Sequence, residues 1–480
     1  MFKKILLAII IAFAVLITVL LVNTFRFKSK QLSIEATTTP AAAEVSIHHF
    51  QEAITHKTIS YGDPALFDSA NFIGFRKFLA VTYPKVHEKL SLEVVASYSL
   101  LYKWEGKNAA LKPIILMAHQ DVVPIEEATR SRWSVDPFAG EVKDSFIWGR
   151  GTADDKVNLI SIMEIAEKLL GENFQPEHTI YFAFGHDEEL GGKGAQAIAA
   201  LLKSRNITAE LVLDEGGIIT MDKVPGMTKP VALIGTSEKG YLSLELTAEK
   251  NGGHSSMPEA ETSIDILAKA LIKLREHPFD ASFSPSTKGF LGHIGPEMPF
   301  LKKIVFANPW LFESIIVGIY EQTGAGNAFV RTTIAPTILQ AGIKDNVIPT
   351  IAKATVNFRL LPGDSAVMVM ERVKIIIADE RVTVLPFNGF KGEPTGITNE
   401  NSYAYKKIDE IIKRTFANTI TTPFLMIGGT DSRHFSEVSE GIIKFSPMTD
   451  PIGFHGIDER VSLESYSSAL WFYETLIRGL

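Results

Sequence analysis

Residues 180–189, IYFAFGHDEE, place a run of six mostly apolar residues directly before a histidine and three acids. A short apolar run without a polar face is typical of a strand buried on both sides, as in a parallel sheet. Residues 114–121 (IILMAHQD) and 211–217 (LVLDEGG) repeat this pattern. Ligands of open parallel sheets bind beyond the carboxyl ends of the strands. The three stretches therefore predict one crevice lined by acids and histidines.

The order of strand and helix patterns predicts two architectures. Apolar runs and amphipathic helical stretches alternate at residues 114–118, 159–170, 180–185, 195–203 and 211–213, which favours a doubly wound, mostly parallel α/β sheet. After Gly240 the order becomes strand, helix, strand, strand, helix, strand, at residues 241–249, 262–275, 336–342, 352–361, 365–378 and 382–386. We interpret this second part as a smaller α+β domain inserted into the first. The Pro- and Phe-rich residues 279–331 between its elements are interpreted as a lid or interface segment.

These patterns predict five parts along the chain. Residues 1–30 are a membrane anchor or signal, and the polar residues 31–45 are a tether. The catalytic domain occupies residues 46–236 and 391–480, and residues 237–390 form the inserted lid or dimerisation domain.

The amino-acid composition limits the class of protein and the residue types that could bind a metal. The 480 residues are 46% hydrophobic and 21% charged, and none is cysteine, which indicates a folded protein of about two or three domains. Without thiolates, disulfides, iron–sulfur clusters and a cysteine nucleophile are excluded, and a metal must be held by His, Asp and Glu.

The first thirty residues differ from the remainder. They contain five basic residues and no acid, so with a net charge of −7 the remainder carries −12. Residues 5–25 are uncharged and almost wholly apolar, and as a helix they would span roughly 30 Å, the thickness of a bilayer core. An uncleaved N-terminal helix with the body outside the cytoplasm is expected. A cleaved signal peptide is the alternative, although its apolar region is usually about 7–15 residues.

Two further clusters accompany the strand ends. Residues 149–155 (GRGTADD) precede a helix, and His455 follows the apolar run at residues 442–447. Several carboxylates in one crevice would repel each other unless divalent cations lie between them. The i, i+2 spacing of His119 and Asp121 lets Asp121 hold the histidine ring. Adjacent Glu188 and Glu189 point apart, so one can bind metal while the other acts as general base.

Other signatures are absent from the sequence. The Gly149-x-Gly151 pair begins like a dinucleotide fingerprint, but Asp154 stands at the third glycine position. There is no GxSxG or GxxxxGK[ST] motif, which argues against a serine hydrolase and a P-loop enzyme. The acidic body carries no basic stripe, so nucleic acid is not expected as a partner.

At this point the sequence resembles a known family. The motifs MAHQDVVP, WGRGTADDK, GHDEELGG, LDEGG, GGHSSMP, NVIP, NFRLLPGD, GGTDSRHF and FHGIDE occur in the order found in the zinc aminoacylase and carboxypeptidase family of co-catalytic metallopeptidases, peptidase family M20. The resemblance covers the body from about Ser46 to Leu480.

The resemblance implies a ligand set for two Zn²⁺ ions, which Co²⁺ or Mn²⁺ could replace. Asp154 would bridge both ions, His119 and Asp214 would complete one site, and Glu189 and His455 the other. Glu188 would be the general base, taking a proton from a bridging water and passing it to the leaving nitrogen. The family also implies a cis peptide between Asp154 and Asp155.

Further residues of the motifs are implied to contact substrate. His254 resembles a histidine that stabilises the oxyanion in its own or a partner's site. Arg359, Asn346 and the Gly428, Gly429 and Thr430 turn resemble the groups that hold a free α-carboxylate, a target that suits a planar guanidinium.

We therefore expect a membrane-anchored dizinc amidohydrolase that cleaves or forms the amide bond of N-acyl amino acids or C-terminal peptide bonds. A homodimer through the inserted domain remains open, as does a catalytically inactive binding or receptor module of the same family. The apolar residues around Phe300 and Trp310 could line a fatty acyl pocket or make dimer contacts, and the sequence leaves both open.

Overall fold

Runs of helices and runs of strands follow one another along the chain. The structure, a computed structural model, describes all 480 residues apart from the side chains of residues 388–391. The helices are α1 (Phe2–Arg26), α2 (Glu44–Thr55), α3 (Ser69–Thr82), α4 (Pro84–Lys89), α5 (Lys156–Gly171), α6 (Lys193–Ser204), α7 (Ser263–Glu276), α8 (Pro285–Ile294), α9 (Phe300–Ala307), α10 (Pro309–Tyr320), α11 (Gly324–Val330), α12 (Ala366–Ile377), α13 (Tyr403–Thr415) and α14 (Leu463–Arg478).

The strands follow the same numbering along the chain. They are β1 (Ser91–Val95), β2 (Ser99–Trp104), β3 (Ile114–His119), β4 (Glu141–Lys143), β5 (Phe146–Trp148), β6 (Ile180–Gly185), β7 (Leu211–Asp214), β8 (Ile219–Thr220), β9 (Val231–Glu238), β10 (Gly240–Glu249), β11 (Gly253–His254), β12 (Thr333–Ala341), β13 (Val347–Ile348), β14 (Ile351–Leu360), β15 (Val382–Gly392), β16 (Ile420–Met426), β17 (Ile442–Lys444) and β18 (Arg460–Ser462).

The largest sheet is mixed. Its strand order is β1-β2-β6-β3-β7-β17-β9-β16, and β8 pairs with β9. Strand β3 is parallel to β6 and β7, and β7 is parallel to β17. In contrast, β2 runs antiparallel to both β1 and β6, and β9 runs antiparallel to β17. The predicted mostly parallel sheet is therefore right only for the centre. The β1-β2 pair is joined by a short turn, and such a connection produces an antiparallel ladder.

The central strands are apolar throughout because both faces of the sheet are covered. Ile114, Leu116 and Ala118 of β3 join the core that contains α5 and α14. The alternate residues Ile115 and Met117 join the core that contains α6. Since successive side chains of a strand point to opposite faces, each strand must be apolar at every position.

A second sheet has the order β12-β14-β10-β15 and is antiparallel. Leucines of β10 pack with α7 and α12 in a separate core. Its elements follow the predicted order of strand, helix, strand, strand, helix, strand. The region that the sequence left unassigned, residues 279–331, contains α8, α9, α10 and α11.

Contacts within the chain define two compact units. One comprises Met1–Lys28, Ser237–Ile397 and Leu425–Gly429, and the other comprises Ser29–Thr236, Thr398–Phe424 and Thr430–Leu480. The predicted domain limits remain predictions, and the limit at residues 390/391 falls where side chains lie outside the described residues. The first unit contains the smaller sheet.

The N-terminal helix α1 is long and apolar enough to cross a membrane. The predicted apolar helix is therefore present, and whether it is retained as an anchor or removed as a signal remains a prediction. The predicted tether at residues 31–45 is irregular up to α2. It hydrogen-bonds along the second unit, where the Thr37 N–H donates to Arg414 O and the Ala42 N–H donates to Ser467 Oγ.

The packing of the central sheet gives a first prediction. Phe182 of β6 is fully buried, and its ring lies 6.2 Å from that of Phe184. Phe182→Ala is expected to lower the free energy of unfolding by about 3–5 kcal/mol, because the cavity cannot collapse between two covered faces. Denaturant unfolding of the detergent-solubilised chain measures this loss. Val81→Ala, at a largely exposed position, is the control, and equal effects of the two changes would contradict the prediction.

Candidate metal centre

Three neighbouring strands bring acids and a histidine to one edge of the sheet. His119 is the last residue of β3, Asp214 is the last residue of β7, and Glu188 begins a 3₁₀ turn just after β6. Because β6, β3 and β7 are adjacent and parallel, their carboxyl ends meet at the same edge. The acids and the histidine of these strand ends therefore lie together at one edge of the sheet, as predicted, and the crevice itself remains a prediction.

The Asp154 carboxylate lies between two histidines. Its Oδ1 is 2.9 Å from His119 Nε2, and its Oδ2 is 3.0 Å from His455 Nε2. His119 is almost fully buried, whereas His455 is exposed on the other side of the carboxylate. This arrangement is the one expected of a bidentate carboxylate that serves two cations. The peptide between Asp154 and Asp155 is cis.

Each histidine has a second carboxylate beside it. Glu215 Oε1 lies 3.4 Å from His119 Nε2, and Glu189 Oε2 lies 3.4 Å from His455 Nε2. The ligand atoms of a tetrahedral zinc site with bonds of about 2.0–2.1 Å are separated by about 3.3 Å. The observed spacings of 2.9–3.4 Å thus fit donors that share an ion.

Asp214 has a different contact from the one the resemblance implies. Its Oδ2 accepts a hydrogen bond of 2.7 Å from the Ser432 N–H. Groups of His, Asp and Glu close enough to hold an ion are His119 with Asp155 and Glu215, and His119 with Asp154 and Glu189. At this strand end the geometry therefore favours Glu215, while the role of Asp214 as a ligand remains a prediction.

Asp121 braces the turn that carries the two glutamates. Its carboxylate accepts the Glu188 and Glu189 N–H groups at 3.1 and 3.2 Å, and the Ser60 hydroxyl at 2.6 Å. The ring Nδ1 of His119 lies 2.9 Å from the Asp121 backbone oxygen and 3.4 Å from its Oδ1. Asp121 thus contacts the ring mainly through its carbonyl, and its carboxylate positions Glu188 and Glu189.

A glycine is required where this turn ends. Gly191 and Gly192 both adopt positive φ angles of 98° and 68°, a conformation that disfavours other residues. A Cβ atom on Gly192 would lie 1.9 Å from Asp431 Oδ1. The glycine pair in GHDEELGG therefore lets the buried Asp431 approach the turn.

An internal ion pair joins the loop of Asp154 to the loop of His455. Glu459 is fully buried, and its Oε2 lies 2.6 Å from Arg150 Nη1. Its Oε1 accepts the N–H groups of Gly151 and Ala153 at 3.0 and 2.9 Å. Arg150 in turn donates from Nη2 to the Gly456 oxygen at 2.8 Å. Both loops are thus held by the same pair.

The charges of the centre are unbalanced without cations. Burial raises the pKa of Glu188 well above its ordinary value, and the charge of Glu215 adds to this. Hydrogen bonds with Asp154 and Glu189 raise the pKa of His455 to about 10. Burial also acts to raise the pKa of Asp154, but its hydrogen bonds with both histidines outweigh burial and lower the pKa. Added positive charge would thus stabilise the charged form of the crowded carboxylates.

Unpaired acceptor atoms also fit a metal. Among the side chains that the structure describes, Glu189 Oε1 and Asp431 Oδ2 are buried without a hydrogen-bond partner. Buried acceptors are rarely left unpaired. An imidazole and carboxylate donor set without thiolates suits zinc and similar divalent ions.

The predicted substrate-binding residues lie mostly in the first unit. His254 pairs with Val347 in the β11-β13 ribbon, and the Ser255 N–H donates to Asn346 O, so His254 and Asn346 are neighbours. Arg359 lies on β14, with its guanidinium 4.6 Å from the Tyr241 ring centre. Gly428 and Gly429 belong to this unit, whereas Thr430 is buried in the second unit.

Sequence reasoning missed several residues of the centre. Arg150 and Glu459 stand in the quoted motifs WGRGTADDK and FHGIDE. The available signal was that one motif carries a basic residue and the other an acidic residue that could pair with it. Glu215 is adjacent to Asp214, and side-chain direction decides between them. Ser60 precedes the first motif by about sixty residues and had no signal in the sequence.

Comparison with known proteins agrees with this geometry. The model of peptidase family M20/M25/M40 matches residues 115–479. The chain belongs to this family. It is a metal-dependent hydrolase of the carboxypeptidase or aminoacylase type, as the motifs predict.

Two relatives illustrate the extent of the match with this family. The probable carboxypeptidase S-like 2 of Dictyostelium discoideum is 39% identical over 97% of this chain and 92% of its own length. The human N-fatty-acyl-amino acid synthase/hydrolase PM20D1 is 40% identical over 84% of this chain and 82% of its own length.

A solved structure shows the same family fold. The M20 family metallo-carboxypeptidase Sso-CP2 of Sulfolobus solfataricus superposes with a TM-score of 0.68. It is 18% identical and covers 91% of this chain and 99% of its own.

The internal ion pair gives a second prediction. Arg150→Ala leaves the Glu459 charge buried and unpaired, so the free energy of unfolding should fall by about 3–5 kcal/mol. Zinc bound by the purified chain should also fall, because both ligand loops lose their common support. Denaturant unfolding and metal analysis measure the two effects.

The matched control is Arg205→Ala. Arg205 makes a bidentate pair with Glu93 on the surface, and exposed pairs contribute about 1 kcal/mol or less. A full zinc content in Arg150→Ala would contradict the positioning role of the pair.

Proposed function

We propose that the chain is a dizinc hydrolase that cleaves, or in the reverse direction forms, the amide bond of N-acyl amino acids or C-terminal peptide bonds. The observation that supports it best is the Asp154 carboxylate between the Nε2 atoms of His119 and His455. That geometry supports two cation positions, one on each side of the carboxylate, and Glu188 lies in the turn after β6.

The proposed ligands divide into two sets that share Asp154. His119 and Glu215 would hold the first ion, and Glu189 and His455 would hold the second. Asp214, the ligand that the resemblance implies, positions the Ser432 segment through its hydrogen bond. The ions would supply Lewis acidity to polarise the scissile carbonyl and to lower the pKa of water to about 7.

Glu188 is the proposed general base. Its carboxylate is proposed to accept a proton from the attacking water. It then transfers this proton to the leaving nitrogen. The Asp121 carboxylate accepts its backbone N–H and fixes the turn. His254 is proposed to stabilise the developing oxyanion.

The names of two relatives and the charge of Arg359 support the proposed substrate class. One relative carries the name of an N-fatty-acyl-amino acid synthase/hydrolase, and another that of a carboxypeptidase S-like protein. An N-acyl amino acid and the C-terminal residue of a peptide both carry a free carboxylate. Arg359 is proposed to bind this group with Asn346, Gly428, Gly429 and Thr430, because a guanidinium pairs with two carboxylate oxygens.

An inactive binding module is not favoured. Such a protein needs neither the base nor a complete ligand set, and this chain retains Glu188 together with both histidines and their carboxylates. The helix α1 is proposed to anchor the chain with its body outside the cytoplasm, since a single apolar helix at the N-terminus acts as a signal.

Substitution of the base tests the proposed reaction. The purified chain is expected to contain zinc and to hydrolyse N-acyl amino acids or dipeptides. Glu188→Gln should lower kcat by about 10²- to 10⁴-fold, because a carboxamide cannot accept the proton. Its zinc content should be unchanged, since Glu188 is not a ligand.

Glu177→Gln, an exposed glutamate, is the control for this substitution. Full activity of Glu188→Gln would remove the base assignment. A zinc-loaded wild-type chain that cleaves neither substrate class would overturn the proposed function.

A second pair of variants tests the ligand at the end of β7. Glu215→Gln should lose the ion that is proposed to lie between Glu215 and His119, because a neutral amide oxygen is a poorer ligand than a carboxylate. Asp214→Asn should retain zinc, since its amide oxygen still accepts the Ser432 N–H. Metal content after dialysis measures both. The reverse result, with loss in Asp214→Asn alone, would restore Asp214 as the ligand.

A further inference from the structure

The segment formed by α9 and α10, residues 300–320, presents an apolar surface to solvent. Six of its large apolar side chains are between 43% and 78% accessible, namely Phe300, Leu301, Trp310, Leu311, Ile315 and Ile319. Contiguous apolar surface of this kind marks a site of protein or membrane interaction. We call residues 300–320 the apolar segment.

The apolar segment is continuous with the N-terminal helix. The Asn23 side chain donates to Asn308 Oδ1 at 2.8 Å, and the Asn308 amide donates to Leu20 O at 3.2 Å. The rings of Phe25 and Phe300 lie 6.1 Å apart. Asn308, between α9 and α10, is fully buried by these contacts. The bend of the segment is therefore attached to the last turns of α1.

This attachment places the segment at a defined depth. If α1 crosses the bilayer, its last turns lie at the boundary between hydrocarbon and headgroups. Arg26 and Lys28 follow there, and Lys302 adds an exposed cation from α9. Basic residues beside apolar ones are typical of helices at a membrane surface. The apolar segment and the basic side chains thus face the same boundary.

The shape of the segment favours lying in the interface over crossing the membrane. Its helices of 8 and 12 residues meet at 111°. At about 1.5 Å per residue neither can span a core of about 30 Å. The exposed face of α10 also carries Glu313, a charge that is tolerated near headgroups and costly at the bilayer centre.

We propose that the apolar segment inserts into the headgroup and acyl boundary of a phospholipid bilayer, as a second membrane contact beside α1. The inference rests on the proposed anchoring by α1. Interfacial helices bury their apolar face about 5–10 Å below the headgroups. The continuity with α1 favours a bilayer over a second copy of the chain.

The absence of cysteine from the chain permits a direct test. Single cysteines are introduced as Leu301→Cys, Ile315→Cys and Ile319→Cys, and labelled with an environment-sensitive fluorophore. The full chain is reconstituted in vesicles of phosphatidylcholine and phosphatidylglycerol that contain doxyl-labelled lipid. Ile343→Cys, at an exposed position of the same unit, is the control, and Val15→Cys reports on α1.

The expected result is quenching of the three segment probes, with fluorescence at least about twofold below that of Ile343→Cys, because burial of 5–10 Å brings them among the quenchers. If Val15→Cys is quenched and the segment probes match Ile343→Cys, the proposal is overturned. Crosslinking of Ile315→Cys between two copies, without quenching by lipid, also overturns it in favour of a dimer contact.

The result of the quenching experiment does not depend on whether the chain is a hydrolase. Hydrolysis of a short, water-soluble N-acyl amino acid by the labelled variants shows that they are folded, since these positions are outside the metal centre. An inactive enzyme whose segment probes are quenched would refute the proposed function and support the inference. Segment probes quenched without quenching of Val15→Cys would also overturn the proposal, because the segment would then not be a second contact beside α1.

Discussion

The structure depends on one electrostatic constraint, which is the set of carboxylates gathered at the carboxyl edge of β6, β3 and β7. Burial and mutual repulsion raise the pKa of Glu188 and Glu215, whereas Asp154, between two histidines, has its pKa lowered. Cations held between these groups would stabilise all of them in their charged form. The proposed hydrolase chemistry depends on the same arrangement. Ions that balance the negative charge of the carboxylates would also activate the attacking water and the substrate carbonyl.

Such a site requires loops that are far apart in the chain to keep fixed positions relative to each other. Asp154 and His455 are three hundred residues apart, and Glu459 joins their loops by accepting backbone N–H groups of one and binding Arg150. Asp121 likewise positions Glu188 and Glu189 by accepting their backbone N–H groups. Both carboxylates are fully buried. Precise ligand geometry thus depends on acids that do not bind metal in the proposed centre, consistent with the supporting role of groups around metal ligands.

The sequence predicted the α/β architecture, the apolar N-terminal helix and the location of the site. These follow from local patterns, because a strand covered on both faces must be apolar throughout, and acids directly after it must lie at the sheet edge. Strand direction was predicted less well, because the sequence reasoning did not assign β1 and β2, whose short connecting turn makes them antiparallel. The helices within residues 279–331 were not predicted. Many apolar residues of α9 and α10 face solvent rather than a core, so these two helices lack the one-sided apolar pattern of a core helix.

The sequence alone determined which residue types could hold metal, because a chain without cysteine leaves only histidine and carboxylate donors. It also determined that they would meet, through their positions after neighbouring strands. Only the tertiary structure decided which oxygen of a crowded set approaches which nitrogen. Glu215 rather than its neighbour Asp214 lies beside His119, because successive residues at a strand end point in opposite directions. Likewise, the contact between α1 and the apolar segment joins residues almost three hundred positions apart, a distance over which sequence pattern carries no information about contact.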